Sequence, residues 1–199
     1  MEPGGRQPAP GALALVQRFV NTLDIEGHRE ELGDPGRLTA WLAANGLLEG
    51  DEQLGLADLQ RAVEVREALR ALLLANAGMD LDPGAIGALN RAAGNVRLVV
   101  RFDASGHSSL EPDSAGIERA LARLLPIVHG AMGDGTWGRL KACRNDVCRW
   151  AFYDHSRNRS GRWCTMDDCG NALKARAYRR RRVGASVPEL EFESEAAGH

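Results

Sequence analysis

Four cysteines, the only ones in the chain, lie at a mirrored spacing that is typical of a metal site. Cys143 and Cys148 form one pair, Cys164 and Cys169 form the other, and four residues separate the members of each pair. Two pairs of thiolates on short loops can converge into the tetrahedral sulfur shell that zinc favours. We therefore predict one zinc ion bound by these four cysteines. Four protein ligands leave no open position for water, so we expect the zinc to be structural rather than hydrolytic.

The same residues leave two alternatives to a four-cysteine zinc site. The thiols could form disulfides, but no export signal is recognisable and we expect a cytoplasmic protein, where clustered cysteines more often bind metal. His155 lies between the two pairs and could replace a cysteine if one pair were mispaired. The segment between the pairs begins with β-prone residues 149–154 and continues with polar residues 155–161, which predicts a small zinc ribbon.

Charge is distributed unevenly along the chain. The whole chain carries a formal charge of −2, yet residues 139–182 contain thirteen Lys or Arg and only four Asp or Glu. The remainder contains twelve basic and twenty-three acidic residues. A basic segment attached to an acidic body is expected to bind a polyanion such as nucleic acid. No apolar run approaches the roughly 18 residues of a membrane-spanning helix, so we expect no membrane partner.

The cysteine-rich end resembles a known family of zinc modules. Trp163-Cys164, Cys169-Gly170-Asn171, Lys174-x-Arg176 and the arginines that follow are similar to the CGNR zinc finger, which usually ends bacterial proteins classed as transcription regulators. The resemblance implies a ribbon-like or treble-clef-like finger that binds double-stranded DNA. One departure is plain, because Ala172 stands where the family has an arginine.

Basic residues in and after the finger are the predicted DNA contacts. Thr165 is predicted to cap a helix that begins after Cys164 and contains Cys169. On that helix Lys174, Tyr178 and Arg181 share a face and could lie along a phosphate backbone. The candidate contacts are Arg157, Arg159, Arg162, Asn171, Lys174, Arg176, Tyr178, Arg179, Arg180, Arg181 and Arg182.

The amino-terminal half begins with an amphipathic helix, predicted from Leu13 to Leu23. Its end, Phe19-Val20-Asn21-Thr22, resembles a motif of the ABATE domain, the usual partner of the CGNR finger. The resemblance implies an ABATE-like helical domain over residues 12–132 and a finger over residues 139–182. It also implies that the body senses a small molecule or forms a homodimer. Candidate pocket residues are Asn21, Thr22, Asp24 and Trp41, although Asn21 and Thr22 could simply terminate the helix.

Hydrophobic periodicity predicts that the body is mainly helical. Asp34-Pro35 and Asp82-Pro83 each begin a helix, because Asp is a good N-cap and Pro suits the first helical position. A longer helix carries Leu56 to Leu73, and its charged residues, including Arg66 and Arg70, are expected to form a solvated face. Residues 115–132 predict a last helix that Pro126 kinks or ends early.

Only one β signal lies outside the finger. Residues 96–102 are predicted to pair with residues 107–110 as a hairpin. The fold class is therefore mainly α with a small β-hairpin (α+β), followed by the finger. Glycine-rich residues 130–138 are the expected hinge, and residues 1–11 and 187–199 are expected to be disordered tails.

These features favour a zinc-dependent DNA-binding transcription regulator rather than an enzyme. The sequence has no phosphate-binding glycine loop, no HExxH pair and no nucleophile elbow. The alternative is an enzyme or small-molecule-binding protein whose finger is structural or binds RNA, and a pocket lined by Asn21, Asp24, Trp41 or Arg101 would favour it. Removing zinc is expected to unfold the finger and leave the helical body intact.

Overall fold

The computed structural model describes residues 7–171, apart from the side chains of Asp167 and Asp168. These residues form a mainly helical fold with small antiparallel hairpins, as the sequence predicts. The helices are α1 (Leu13–Val20), α2 (Pro35–Ala44), α3 (Leu56–Asn76), α4 (Pro83–Gly94) and α5 (Gly116–Gly133). The strands are β1 (Leu23–Asp24), β2 (Arg29–Glu30), β3 (Leu98–Phe102), β4 (Ser108–Pro112), β5 (Leu140–Ala142) and β6 (Ala151–Tyr153).

The two Asp-Pro helix starts are confirmed. The Asp34 carboxylate accepts a hydrogen bond from the backbone N–H of Arg37 at 2.9 Å, and Asp82 accepts one from Gly84 at 2.8 Å. Each bond satisfies a backbone donor that has no partner within the helix. Local sequence therefore determines where α2 and α4 begin.

Helix α3 is the centre of the core. It packs against α1, α2, α4 and β5, and Leu69 and Leu73 on its buried face are 0% exposed. Each fully buried leucine contributes about 1.5–3 kcal/mol relative to an exposed one. The expectation that every charged residue of α3 faces solvent is wrong for two of them. Arg66 and Arg70 are only 2% and 3% exposed.

The buried face of α4, a helix that packs against α3, is built from alanines. Ala85, Ala88 and Ala92 are the buried residues of α4, whereas the larger apolar residue Ile86 is exposed. Small side chains let two helices approach closely, so the alanines and not the larger apolar residue mark the contact face.

Helix α5 continues through Pro126 to Gly133, so the proline does not end it. The glycine-rich segment expected to be a hinge, residues 130–138, also lies partly within helices. Gly130 and Gly133 lie within α5, and Trp137 begins a short 3₁₀ helix, Trp137–Arg139, in which it is 7% exposed. A buried tryptophan fixes this connection to the core, and flexible glycine composition alone did not reveal it.

The predicted β3–β4 hairpin is confirmed, with Val100 paired to Leu110 and Phe102 paired to Ser108. The apolar residues Val100, Phe102 and Leu110 are 59–74% exposed. A second hairpin, formed by β1 and β2, was missed because each strand is only two residues long.

The first part of the finger belongs to the same compact unit as the helices, and this unit extends to Cys164. Strands β5 and β6 pair antiparallel, with Leu140 opposite Tyr153 and Ala142 opposite Ala151. Leu140, Ala142 and Ala151 are all 0% exposed and belong to the main hydrophobic core. The helical body and this zinc-finger hairpin therefore share one core.

The residues at the two ends of the chain are outside the described part of the structure. Residues 1–6 and 172–199, including the predicted contacts from Lys174 to Arg182 and the acidic tail, lie outside them. Ala9, within the segment expected to be disordered, is 4% exposed, and its N–H donates to Gln17 Oε1 at 2.6 Å. The backbone at Ala9 is therefore held against α1. None of the helices within residues 7–171 is long and apolar enough to cross a membrane.

Candidate metal centre and nucleic-acid interface

The first cysteine pair lies in the loop that joins β5 to β6. The Cys143 N–H donates to the Trp150 carbonyl at 2.9 Å, and this bond extends the strand pairing by one step. The Cys148 N–H donates to the Asn145 carbonyl at 3.0 Å, which closes the turn inside the loop. Arg149 has a φ of 54° and completes the return into β6. This loop, residues 143–150, is called the zinc knuckle below.

The four cysteine sulfurs form one cluster. All four lie within 4.8 Å of one another, and the Sγ atoms of Cys148 and Cys164 are 3.6 Å apart. A tetrahedral zinc site with Zn–S bonds of about 2.3 Å requires sulfurs about 3.8 Å apart. The donor set and its spacing therefore fit one zinc ion, which would be bound by Cys143, Cys148, Cys164 and Cys169.

Mutual repulsion between thiolates explains why such a cluster needs a cation. Hydrogen bonds from Cys148 and Cys164 lower the pKa of Cys143, whereas the pKa of Cys148 is raised by Cys143 and Cys164. Ionisation of one thiol therefore opposes ionisation of its neighbours. A bound divalent cation removes this opposition, because it stabilises all four thiolates together.

Two family models match the chain in the order expected. The first, ABATE, carries the description "Putative stress-induced transcription regulator" and matches residues 12–132. The chain belongs to the ABATE family. The second model, the CGNR zinc finger, matches residues 139–182 and so contains all four cysteines. The curated proteins contain no match to this chain. In this ABATE protein the finger can bind one zinc ion through its cysteines.

The histidine alternative gains no support from the structure. His155 is exposed, and its ring lies edge-on to Tyr153 with centroids 4.9 Å apart. Among the residues that the structure describes, the group able to hold a metal consists of the four cysteines alone.

A buried ion pair shapes the loop that follows β6. Lys141 and Asp154 are 3% and 4% exposed, and Lys141 Nζ donates to Asp154 Oδ2 at 2.7 Å. The same ammonium donates to the carbonyls of Arg159 at 2.6 Å and Gly161 at 3.1 Å. Asp154 also accepts from the backbone N–H groups of Ser156 and Gly161. The pair thus fixes residues 154–161, called the arginine loop below.

The surroundings of Asp154 lower its pKa. Burial acts to raise it, but the hydrogen bonds from Lys141, Ser156 and Gly161 lower it well below its ordinary value of 3.8. Asp154 therefore stays ionised at neutral pH and keeps its attraction for Lys141.

The arginine loop presents part of the predicted DNA-binding set. Arg157 and Arg159 are exposed on it, and Arg162 is exposed just after it. Arg159 has a φ of 52°, and the carbonyl of Arg162 accepts a hydrogen bond from the Arg144 N–H at 3.0 Å. The loop is therefore held through its backbone while these side chains face solvent.

The segment from Thr165 onward is described to Asn171. Met166–Gly170 form one π-helical turn, which agrees with a helix that begins after Cys164. The Gly170 N–H donates to the Thr165 carbonyl at 3.1 Å, and Asn171 is exposed.

Asn21 and Thr22, from the ABATE-like motif, have structural roles. Thr22 Oγ1 donates to the Phe19 carbonyl at 2.8 Å, as expected for a side chain that terminates α1. Asn21 does more. Its Nδ2 donates to the Ala151 carbonyl at 2.9 Å, and its Oδ1 accepts from the Ala151 N–H at 2.7 Å. Asn21 therefore binds β6 of the finger to the end of α1.

Buried arginines of α3 reinforce this junction, and sequence reasoning missed them. Arg70 donates to the Val20 carbonyl at 2.7 Å and to the Arg149 carbonyl at 2.9 Å. It therefore joins the carboxyl end of α1 to the zinc knuckle. Its Nε also pairs with Glu67 at 2.9 Å. In the sequence, Arg66 and Arg70 resemble the solvated charges of α3, because their acceptors at Thr22, Val20 and Arg149 are distant along the chain.

Arg66 forms the second part of this network. It donates to Thr22 Oγ1 at 3.2 Å and pairs with Glu30 at 2.7 Å and Glu67 at 2.8 Å. Burial acts to raise the pKa of Glu30, but the bonds from Arg66 and the Leu32 N–H lower it below its ordinary value.

The four candidate pocket residues do not all line one cavity. Asn21 and Trp41 line a cavity beside the zinc knuckle. Asp24 instead accepts from the Gly27 N–H at 2.9 Å, and Thr22 is occupied as described above. Arg101 pairs with Glu111 on the β3–β4 hairpin, and it is absent from the cavity lining.

Proposed function

We propose that this ABATE protein is a zinc-dependent DNA-binding transcription regulator. Its two family matches support this role, because one describes a transcription regulator and the other a zinc finger. The zinc acts structurally, since four thiolates would fill its coordination sphere. We propose no catalytic activity for the zinc centre.

The observation that carries the proposal is that the arginine loop has exposed arginines and a backbone held by hydrogen bonds. The Lys141–Asp154 pair fixes the arginine loop by binding its backbone, and that arrangement leaves Arg157 and Arg159 exposed. Guanidinium groups on a loop that is already ordered bind phosphate at a lower entropic cost than groups on a flexible chain. The excess of basic residues over residues 139–182 adds attraction for a polyanion.

The test is binding of the zinc-loaded full chain to random duplex DNA across a salt series. The variant R157A/R159A/R162A is compared with R91A/R97A/R101A, which removes the same charge from exposed sites outside the finger. Each lost phosphate contact reduces the slope of log K against log salt by about 0.9. We expect a shallower slope for the finger variant only. Equal losses in both variants, or no binding at low salt, would contradict the proposal.

A competition-binding experiment distinguishes an RNA partner from a DNA partner. Arginine contacts to phosphate do not by themselves distinguish the two polymers, because the 2′-hydroxyl is what identifies RNA. Duplex DNA and duplex RNA of one sequence are therefore competed against labelled DNA. Stronger competition by RNA would favour the RNA-binding finger instead.

A further inference from the structure

A cavity of about 480 Å³ opens between the helical body and the zinc knuckle, within the same compact unit. Small-molecule sites usually have volumes of roughly 300–1,000 Å³. The wall contains residues from the end of α1, from the segment at β2, from the end of α2 and from the knuckle. They are Arg18, Asn21, Arg29, Glu31, Trp41, Asn45 and Trp150.

Two indoles contribute the aromatic surface of this cavity. Trp41 is half-buried, and its ring lies 5.7 Å from the Phe19 ring at an interplanar angle of 52°. Trp150 is 7% exposed and follows Cys148 by two residues. Trp41 therefore belongs to the helical body, and Trp150 belongs to the zinc knuckle. Aromatic side chains of this kind bind planar rings by stacking or edge contacts.

Arg18 contributes a positive charge to the wall of this cavity. Its Nε and Nη2 donate to the neutral Asn45 Oδ1 at 3.3 and 3.2 Å. Asn45 in turn donates from Nδ2 to the Trp41 carbonyl at 2.8 Å. Among ion pairs within residues 7–171, none includes Arg18, whereas Arg29 already pairs with Asp24 at 3.5 Å. The guanidinium of Arg18 is therefore oriented and still able to accept an anionic partner.

We propose that this cavity binds a small aromatic monocarboxylate, with its carboxylate on Arg18 and its ring against Trp41 and Trp150. Glu31, also in the lining, disfavours ligands with further negative charge. The ligand joins the helical body to the knuckle, so its binding stabilises their junction. Its use as a regulatory effector rests on the proposed function, whereas the binding itself does not.

The experiment uses the zinc-loaded full chain and three probes, namely benzoate, phenylacetate and indole-3-acetate. Calorimetry measures binding of each acid beside its uncharged amide. We expect saturable binding of at least one acid, about 10-fold or more tighter than its amide, because only the acid pairs with Arg18. R18Q should remove this preference, and R91Q, an exposed arginine of α4, should keep it. Urea unfolding of each variant checks that the fold is retained.

A second set of variants tests the aromatic wall. W41L and W150L should weaken the acid and the amide alike, because they remove ring contacts and leave Arg18 in place. Should either variant unfold, W41F or W150F takes its place; the smaller ring makes fewer contacts, so the acid and the amide should both bind more weakly but still measurably. No saturable binding of any acid up to about 10 mM, beyond the millimolar range of weak specific ligands, would overturn the proposal. Equal loss of the acid preference in R18Q and R91Q would also overturn it.

DNA binding is measured separately, with and without the bound acid. Carboxylate binding without any DNA binding would refute the proposed function and leave the cavity assignment intact. DNA binding without carboxylate binding would do the reverse.

Discussion

Asn21 binds both polar backbone atoms of Ala151, the first residue of β6, through the two ends of its carboxamide. The two residues are 130 positions apart and lie in the segments matched by two different family models. A side chain at the end of α1 therefore acts like an additional strand residue beside the finger hairpin. Stability of the knuckle and stability of the helical body should be coupled through it.

Replacing Asn21 with alanine should destabilise the whole compact unit. The variant loses two buried hydrogen bonds and leaves the Ala151 N–H without this partner, which together cost about 2–4 kcal/mol. Urea unfolding monitored by circular dichroism measures the loss. N90A, at an exposed position of α4, is the matched control and should change stability by less than about 0.5 kcal/mol. Equal effects of the two substitutions would show that the Ala151 contact is unimportant.

Replacing Arg70 with methionine should be more damaging than the same change at Arg91. Arg70 is 3% exposed and binds the carbonyls of Val20 and Arg149, so its loss leaves buried acceptors unpaired, at about 1–3 kcal/mol each. Arg91 pairs with Glu64 at the surface, where an ion pair contributes about 0–1 kcal/mol. Chemical unfolding of both variants makes the comparison. An R70M protein as stable as R91M would contradict the assigned junction.

Removal of zinc should destabilise the helices as well as the finger. The sequence alone indicated that the body would remain intact, but Leu140, Ala142 and Ala151 belong to the main core. Free zinc at 100 times its dissociation constant would contribute about 2.7 kcal/mol to the free energy of unfolding. Thermal unfolding of α-helical signal is compared with zinc, with a chelator, and for C148S. An unchanged midpoint after metal loss would show that the hairpin is held without zinc.

Replacing Gly161 with alanine should weaken DNA binding without changing charge. A Cβ at this position would lie 2.8 Å from the Asp154 carboxyl carbon, so the buried pair and the arginine loop must shift. If the proposed function is right, affinity for duplex DNA should fall several-fold while the salt slope stays similar. G138A, where a Cβ meets no atom within 4 Å, is the control. Unaltered affinity in G161A would show that loop order does not matter.

Asp154 should make stability depend on pH in the acid range. Its folded pKa lies below its ordinary value of 3.8, so its contribution is complete above that value and is lost as pH falls through the folded pKa. At neutral pH, D154N should cost about 3 kcal/mol because Lys141 loses its buried counter-charge. The difference between wild type and D154N should shrink below about pH 4. The midpoints of urea unfolding from pH 7 to pH 3 measure this difference in stability. Zinc release in acid affects wild type and D154N alike, so the comparison between them corrects for it.

A constant difference across that range would contradict the assigned ion pair. D51N, at an exposed turn position, serves as the control for general effects of removing a carboxylate.

Sequence patterns predicted the features that depend on local chemistry. Asp34 and Asp82 could be assigned as N-caps because an N-cap acts on backbone only two or three residues away. The cysteine cluster could be predicted because metal coordination requires particular atoms at short spacing. In both cases the decisive interaction is specified by residues close together in sequence.

Features that depend on distant partners could not be predicted in this way. Arg66 and Arg70 resemble solvated helix charges until their acceptors at Thr22, Val20 and Arg149 are known. Likewise, Asn21 resembles a helix terminator, and its partner Ala151 lies in a different family segment. Burial of a polar group depends on whether the fold supplies enough partners, and this is a property of the assembled core.

Lys141 gives the protein a built-in reporter of local opening. The chain contains only two lysines, and the ammonium of Lys141 is buried among three oxygen acceptors. An amine-reactive reagent requires an accessible, uncharged amine, so Lys141 can be acylated only when its surroundings separate. The time course of its acylation, followed by mass spectrometry of the peptide that contains Lys141, therefore reports the openings of this one site.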